Sequence, residues 1–181
     1  MSGWQTLSSK TVYETPWIKV RADEVINHLG EKIEYSVVST PHPGVTIIAT
    51  NTKGEILFQE IYRYTINKTV LELPAGGAED GDILKAARRE LLEEANMESD
   101  DWAEVGQFNM ATGSTTFSFY AFVARNVRQT DNIRTKNPEQ IDNHRFLSLQ
   151  DIEKLTKNNK LIDAPMLGAI YAAKAKGLIG E

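Results

Sequence analysis

Along roughly the first forty positions, apolar and polar residues alternate with the period of strands. Val12 and Tyr13 begin one strand, and Trp17-Ile18-Lys19-Val20-Arg21-Ala22-Asp23-Glu24-Val25 alternates loosely as the next. Asn27-His28-Leu29-Gly30 is built of turn residues, after which Lys32-Ile33-Glu34-Tyr35-Ser36-Val37-Val38 returns as a hairpin partner. Pro41 and Pro43 interrupt the chain before Val45-Thr46-Ile47-Ile48-Ala49, an apolar run suited to a buried strand. Asn51-Thr52-Lys53-Gly54 then turns into a further strand over Ile56-Leu57-Phe58-Gln59-Glu60-Ile61-Tyr62. Here the period changes. Leu84, Ala87, Leu91 and Ala95 mark the core face of a helix over about residues 83–96, with its acidic side facing away. Strands are expected again at 103–109, 116–124 and 144–148. Asp163 caps a last helix over roughly 164–176, with Pro165 in its first turn and Gly177 just past its end.

Strands on both sides of one amphipathic helix predict an α/β protein, a mixed sheet sandwiched between helices. The 181 residues suffice for one sizeable domain of this class with a small appendage. The strands of residues 1–40 form that appendage, a small antiparallel sheet preceding a main domain over residues 41–181. A net charge of −5 with no basic cluster argues against nucleic acid as a partner. The lack of cysteine excludes a disulfide scaffold and a thiolate zinc site. No apolar run approaches a membrane span, and Met1-Ser2-Gly3-Trp4 lacks a signal-peptide pattern, so a cytoplasmic protein without membrane contacts is expected.

Candidate chemistry centres on Ala87-Arg88-Arg89-Glu90-Leu91-Leu92-Glu93-Glu94. Glu90, Glu93 and Glu94 stand at i, i+3 and i+4, hence on one helix face, where like charges repel unless a cation offsets them. Hard divalent cations such as Mg²⁺ or Mn²⁺ take such oxygen ligands, often together with substrate phosphates. In isolation the pattern reads better as a solvated acidic face. The preceding Leu71-Glu72-Leu73-Pro74-Ala75-Gly76-Gly77-Ala78-Glu79-Asp80-Gly81 changes the reading, because a short apolar strand runs into a Gly-rich loop that opens onto the helix.

Loop and helix together resemble the Nudix box, the pyrophosphohydrolase signature G-x5-E-x7-R-E-U-x-E-E-x-G-U, with U aliphatic. Arg89-Glu90-Leu91-x-Glu93-Glu94 fits without a gap, Met97 fills the last aliphatic position, and Asn96 replaces the final Gly. Counted from Gly76, the first Glu of the box falls on Asp82, and six residues rather than seven separate it from Arg89. The resemblance implies the Nudix α/β/α sandwich, Mg²⁺ or Mn²⁺ as cofactor, and Glu90, Glu93, Glu94 and the Ala75 carbonyl as its ligands. Arg89 would orient the carboxylates; the plain alternative for it is an exposed ion pair with Glu93.

Gln59-Glu60-Ile61-Tyr62-Arg63-Tyr64 followed by Glu72-Leu73-Pro74-Ala75-Gly76 resembles the Q-x-R-Y … E-L-P-A-G pattern of ADP-ribose and other nucleoside diphosphate sugar pyrophosphatases. The likeness implies Arg63 on the diphosphate, Glu72 on the nucleoside or terminal sugar, and Gly113 in a substrate loop, Met110-Ala111-Thr112-Gly113-Ser114. It also implies a homodimer built through the N-terminal strands; the apolar residues of that segment, Trp4, Val12, Trp17, Ile18 and Val20, suit burial against a second subunit and make Trp17 a candidate for stacking on the base. Glu139, in Glu139-Gln140-Ile141-Asp142, matches the stretch that carries a general base; Glu93 is the other choice, and an ordinary loop glutamate is a plain reading of Glu139. His28, His42 and His144 show no ligand spacing and read as incidental. The expected activity is Mg²⁺-dependent hydrolysis of nucleoside diphosphate sugars, ADP-ribose first, then GDP-mannose or ADP-glucose. The alternative is a Nudix-fold domain that senses a nucleotide sugar without cleaving it.

Overall fold

The computed structural model describes residues 3–79, 81–130 and 141–180. Three antiparallel strands come first: β1 (Gln5–Glu14), β2 (Lys19–Ile26) and β3 (Lys32–Ser39). Asn27 makes the turn between the last two, its side-chain oxygen accepting the Leu29 and Glu31 N–H groups at 2.9 and 3.0 Å. β1 starts earlier than Val12. Its residues are exposed throughout, so they carry no alternation, and pairing with β2 holds them instead, as in the bond from Ser9 to Asp23.

The main body continues with β4 (Gly44–Ala49), β5 (Ile56–Arg63), a 3-10 turn (Tyr64–Ile66), β6 (Lys68–Glu72) and β7 (Ala75–Gly77). Helix α1 (Ile83–Ala95) leads to β8 (Met97–Glu98), β9 (Asp101–Asn109), β10 (Ser118–Arg125) and β11 (Arg128–Gln129). β12 (Ile141–Leu147), α2 (Leu149–Lys157) and α3 (Ala164–Ala175) complete the order. One sheet runs β7-β4-β10-β9 and is mixed, because β10 lies parallel to β4 while β9 and β7 are antiparallel to their neighbours. A second, antiparallel sheet runs β12-β5-β6.

The central strands are buried on both faces, and alternation sorts their side chains between two helix layers. Val45, Ile47 and Ala49 of β4, with Leu57, Phe122 and Ala124, pack on Ala86, Ala87, Leu91 and Ala95 of α1. Ile48, Ile56, Phe58, Phe119, Ala121 and Val123 face the other way, onto α2 and α3. The result is the α/β/α sandwich that the strand and helix periods predict. α2 was not among the expected elements, although Ser148 caps it by accepting the Asp151 N–H at 3.1 Å. Among the described residues no helix is long and apolar enough to cross a membrane.

β3 joins the N-terminal sheet to the body. Val38 N–H donates to Ser114 at 3.0 Å, Thr116 N–H donates back to Val38 at 2.9 Å, and the Tyr35 hydroxyl donates to the Gly113 carbonyl. Trp4, Leu7, Val12, Tyr13 and Trp17 of the N-terminal segment stay exposed.

Candidate active site

The site is assembled where β7 meets α1. After β6, Pro74 carries the chain into β7, whose Ala75 pairs with Thr46 of β4. Asp82 then caps α1, its Oδ1 accepting the Lys85 N–H at 3.0 Å. Asn96 ends the helix in the left-handed conformation at φ 53°, a backbone state asparagine tolerates well. Between these caps α1 presents Glu90 and Glu94 to β7, so this part of the acidic side does not face away from the body as its pattern suggests. Both carboxylates are buried, at 8% and 7% exposure, because β7 and β5 cover that side of the helix. Gly76 permits the contact: a Cβ at that position would overlap the Glu90 carboxylate.

Arg89 bridges the cluster. One guanidinium nitrogen lies 2.7 Å from Glu90 and donates to the Gly77 carbonyl at 2.9 Å, and the other meets Glu93 at 2.8 Å. Burial pushes the Glu90 carboxyl above the ordinary range, with Arg89 opposing the shift and the charges of Glu93 and Glu79 adding to it.

Glu94 has different company. Its Oε2 accepts both the Gln59 side-chain amide and the Ala75 N–H, each at 2.9 Å. Gln59 is almost wholly buried, and its own Oε1 has no hydrogen-bond partner among the described residues. His144 sits opposite Gln59 on β12 and meets the Glu94 backbone carbonyl; partial burial lowers its pKa, with that contact opposing the change.

A cavity of about 310 Å³ opens beside Ala75 and Gly76. Val45, Leu73, Met110, Phe119 and Met166 give it apolar walls. Arg63 and Glu72 stand in the wall as a pair, the Arg63 Nε 3.2 Å from both carboxylate oxygens and a terminal nitrogen 2.6 Å from one. Asp163, the cap of α3, lines the same cavity.

A model of the NUDIX domain matches residues 40–167, and a model of the nucleoside diphosphate sugar hydrolase N-terminal domain matches residues 4–38. The chain belongs to the Nudix family. It is 23% identical over 174 residues to an ADP-ribose pyrophosphatase of Bacillus subtilis (strain 168), covering 95% of this chain and 93% of that one. It is 24% identical over 176 residues to an ADP-ribose pyrophosphatase of Mycobacterium tuberculosis, covering 95% and 84%. A methanol dehydrogenase activator of Bacillus methanolicus is 24% identical over 168 residues, covering 92% and 90%. A crystal structure of an ADP compounds hydrolase shares the fold at a TM-score of 0.84 and 18% identity, covering 97% of this chain and 95% of that one. The protein is therefore a Nudix pyrophosphohydrolase resembling the ADP-ribose pyrophosphatases.

Nudix hydrolases use a divalent metal, and the residues present suit one. Three carboxylates form a hard-oxygen set, and the Gly76 cradle brings Glu90 against the Gly-rich strand. Among the described residues no three acidic or imidazole side chains converge on a single point as they stand. Arg89 spans Glu90 and Glu93, and Glu94 is turned towards Gln59 and Ala75.

The structure brings Ala75, Arg89, Glu90, Glu93 and Glu94 together, with Arg63 and Glu72 in the adjoining cavity wall. Gly113 lies outside that wall, bonded to Tyr35, and Trp17 is 76% exposed at the turn between β1 and β2. Glu139 lies outside the described residues. Sequence reasoning missed Gln59, His144 and Asp163 as members of this neighbourhood. Gln59 did leave a signal, as a polar residue interrupting the apolar run of β5.

Proposed function

We propose that this Nudix enzyme hydrolyses the diphosphate of nucleoside diphosphate sugars with Mg²⁺, or with Mn²⁺ in its place. ADP-ribose is the leading substrate: water adds at phosphorus, the bridging P–O bond breaks, and AMP and ribose 5-phosphate leave. GDP-mannose and ADP-glucose come next. The observation that carries this reading is the adjacency of the cavity to the buried carboxylates through Ala75 and Gly76. A substrate whose sugar or nucleoside fills the cavity has its diphosphate beside Glu90 and Glu94.

Glu90, Glu93, Glu94 and the Ala75 carbonyl would hold the metal, which when bound offsets phosphate charge and makes a water more acidic. Arg89 keeps Glu90 and Glu93 in place through its bridging contacts. Arg63 faces the diphosphate side of the substrate while Glu72 holds the guanidinium plane and accepts from the substrate. Glu139 takes the proton of the attacking water, with Glu93 as the other base to test. Residues 1–40 form a dimerising segment ahead of a catalytic domain at 41–181, and the exposed Trp17 stacks on the base held by a second copy.

Incubating the protein with a panel of nucleoside diphosphate sugars and Mg²⁺, and identifying the products, tests the proposal. AMP and ribose 5-phosphate from ADP-ribose are expected. Binding without turnover of any member would make the protein a sensor instead.

A further inference from the structure

The cavity beside the carboxylate helix carries more acceptors than its charged pair accounts for. Arg63 and Glu72 are matched to each other, with a shortest contact of 2.6 Å. Asp163 adds a second carboxylate to the same wall. Its Oδ1 accepts the Met166 N–H at 2.7 Å as the cap of α3, and its Oδ2 accepts no hydrogen bond among the described residues. The carboxyl feels both neighbours: burial raises its pKa, the Met166 bond opposes this, the Glu72 charge adds to it and the Arg63 charge counters it.

This arrangement selects a chemistry. Two carboxylates beside one guanidinium leave this wall net acidic, so the diphosphate lies towards the Ala75 and Gly76 mouth with Arg63 on its near side, and the Asp163 carboxylate is left facing the neighbouring sugar. An ionised carboxylate only accepts, and it wants O–H or N–H donors. The remaining walls, Phe119, Met110 and Met166 among them, suit the apolar face of a ring. A sugar combines an apolar ring face with adjacent hydroxyl donors. Asp163 is also fixed in place, since capping and the following Pro165 define the start of α3.

We propose that Asp163 is a specificity-determining residue whose carboxylate accepts hydrogen bonds from the hydroxyls of the substrate sugar that enters this cavity. The inference rests on the sugar-nucleotide reading of the site above. It names a residue outside the box and outside the Q-x-R-Y pattern, contributed by the C-terminal helix. Substrates that present the hydroxyl pair are taken and those that lack it are rejected.

The test uses the full chain as wild type and as Asp163→Asn, assayed with Mg²⁺ on four compounds: ADP-ribose, its analogue lacking the 2-hydroxyl of the terminal ribose, its analogue lacking the 2-hydroxyl of the adenosine ribose, and inosine diphosphate ribose. Asparagine caps helices as well as aspartate does, so the melting temperature should stay within a degree or two. Losing a charged acceptor for the sugar should raise KM for ADP-ribose about 10- to 100-fold with little change in kcat. One of the two deoxy analogues should show the same penalty with the wild type and little further loss with Asp163→Asn, which identifies the sugar. Overturning results are a KM for ADP-ribose within about threefold of wild type, penalties that multiply for both deoxy analogues, or a loss that vanishes only with inosine diphosphate ribose, which would assign Asp163 to the base amine. Wild-type protein that neither binds nor cleaves any of the four would overturn the sugar-nucleotide reading and this inference together. An active wild type with an unaffected variant overturns this inference alone.

Discussion

The Gln59 side-chain amide donates to Glu94 Oε2 at 2.9 Å, joining a central strand to the carboxylate helix across 35 residues of sequence. The Ala75 N–H meets the same oxygen at the same distance. Two donors hold one oxygen of this buried carboxylate and so fix how the side chain is presented. Gln59→Leu should therefore weaken Mn²⁺ binding about 10- to 100-fold, the usual effect of removing an outer partner of a metal ligand. Paramagnetic titration of the free ion checks it, independently of turnover. Unchanged Mn²⁺ affinity in a folded Gln59→Leu variant would show that Glu94 needs no such partner.

Stability of the metal-free protein should depend on pH through Glu90. Its folded-state pKa lies above the ordinary 4.5, so between those two values the folded state holds more protons than the unfolded state. Stability therefore falls as pH rises from about 4.5 through the folded value, and stays reduced above it. Glu90→Gln removes that loss. Thermal melts in a chelator should give Glu90→Gln a flatter profile across this window and a higher melting temperature than wild type at neutral pH. A lower melting temperature at pH 7 would mean that the bond to Arg89 outweighs burial.

Arg63 and Glu72 act as a unit. Arg63→Ala leaves a carboxylate of 14% side-chain exposure beside an apolar wall without its cation, so KM should rise and the melting temperature should fall modestly. Arg63→Lys should restore stability better than KM, because an ammonium cannot keep the bidentate geometry. Steady-state kinetics and melts on both variants decide it. Full recovery of KM by lysine contradicts a planar, paired role.

Much of this was legible in the chain. The apolar run Val45 to Ala49 reads as a strand buried on both faces, and Asp163, Pro165 and Gly177 punctuate α3 where it is found. The box helix is expected over 83–96 and runs from Ile83 to Ala95. What periodicity could not show was the surroundings of its acidic face. Burial of Glu90 depends on Gly76, fourteen positions earlier, having no side chain, and that of Glu94 on a strand further back still. β1 runs longer than its pattern predicts, because a strand exposed on both faces has no period to read. Asp163 reads as a cap from the sequence, but its place in the cavity wall follows from how α3 packs against β4 and β10.

The N-terminal sheet leads to an association prediction. Leu7, Val12, Tyr13 and Trp17 are each at least 45% exposed, an apolar surface that a second copy would cover. Light scattering at micromolar concentration should report a dimer, and deleting residues 1–40 should give a monomer with little activity. A fully active monomeric wild type would remove Trp17 from the substrate site.

The central claim is that diphosphate hydrolysis is carried out on the carboxylate face of α1, and Glu94→Gln tests it most directly. Glutamine can still accept from Gln59 and from the Ala75 N–H, so the variant should fold with an unchanged or higher melting temperature without metal. AMP release from ADP-ribose, measured against Mg²⁺ concentration, should show kcat lower by about two orders of magnitude or more even at saturating metal. Wild-type kcat in Glu94→Gln at saturating Mg²⁺ would contradict the account.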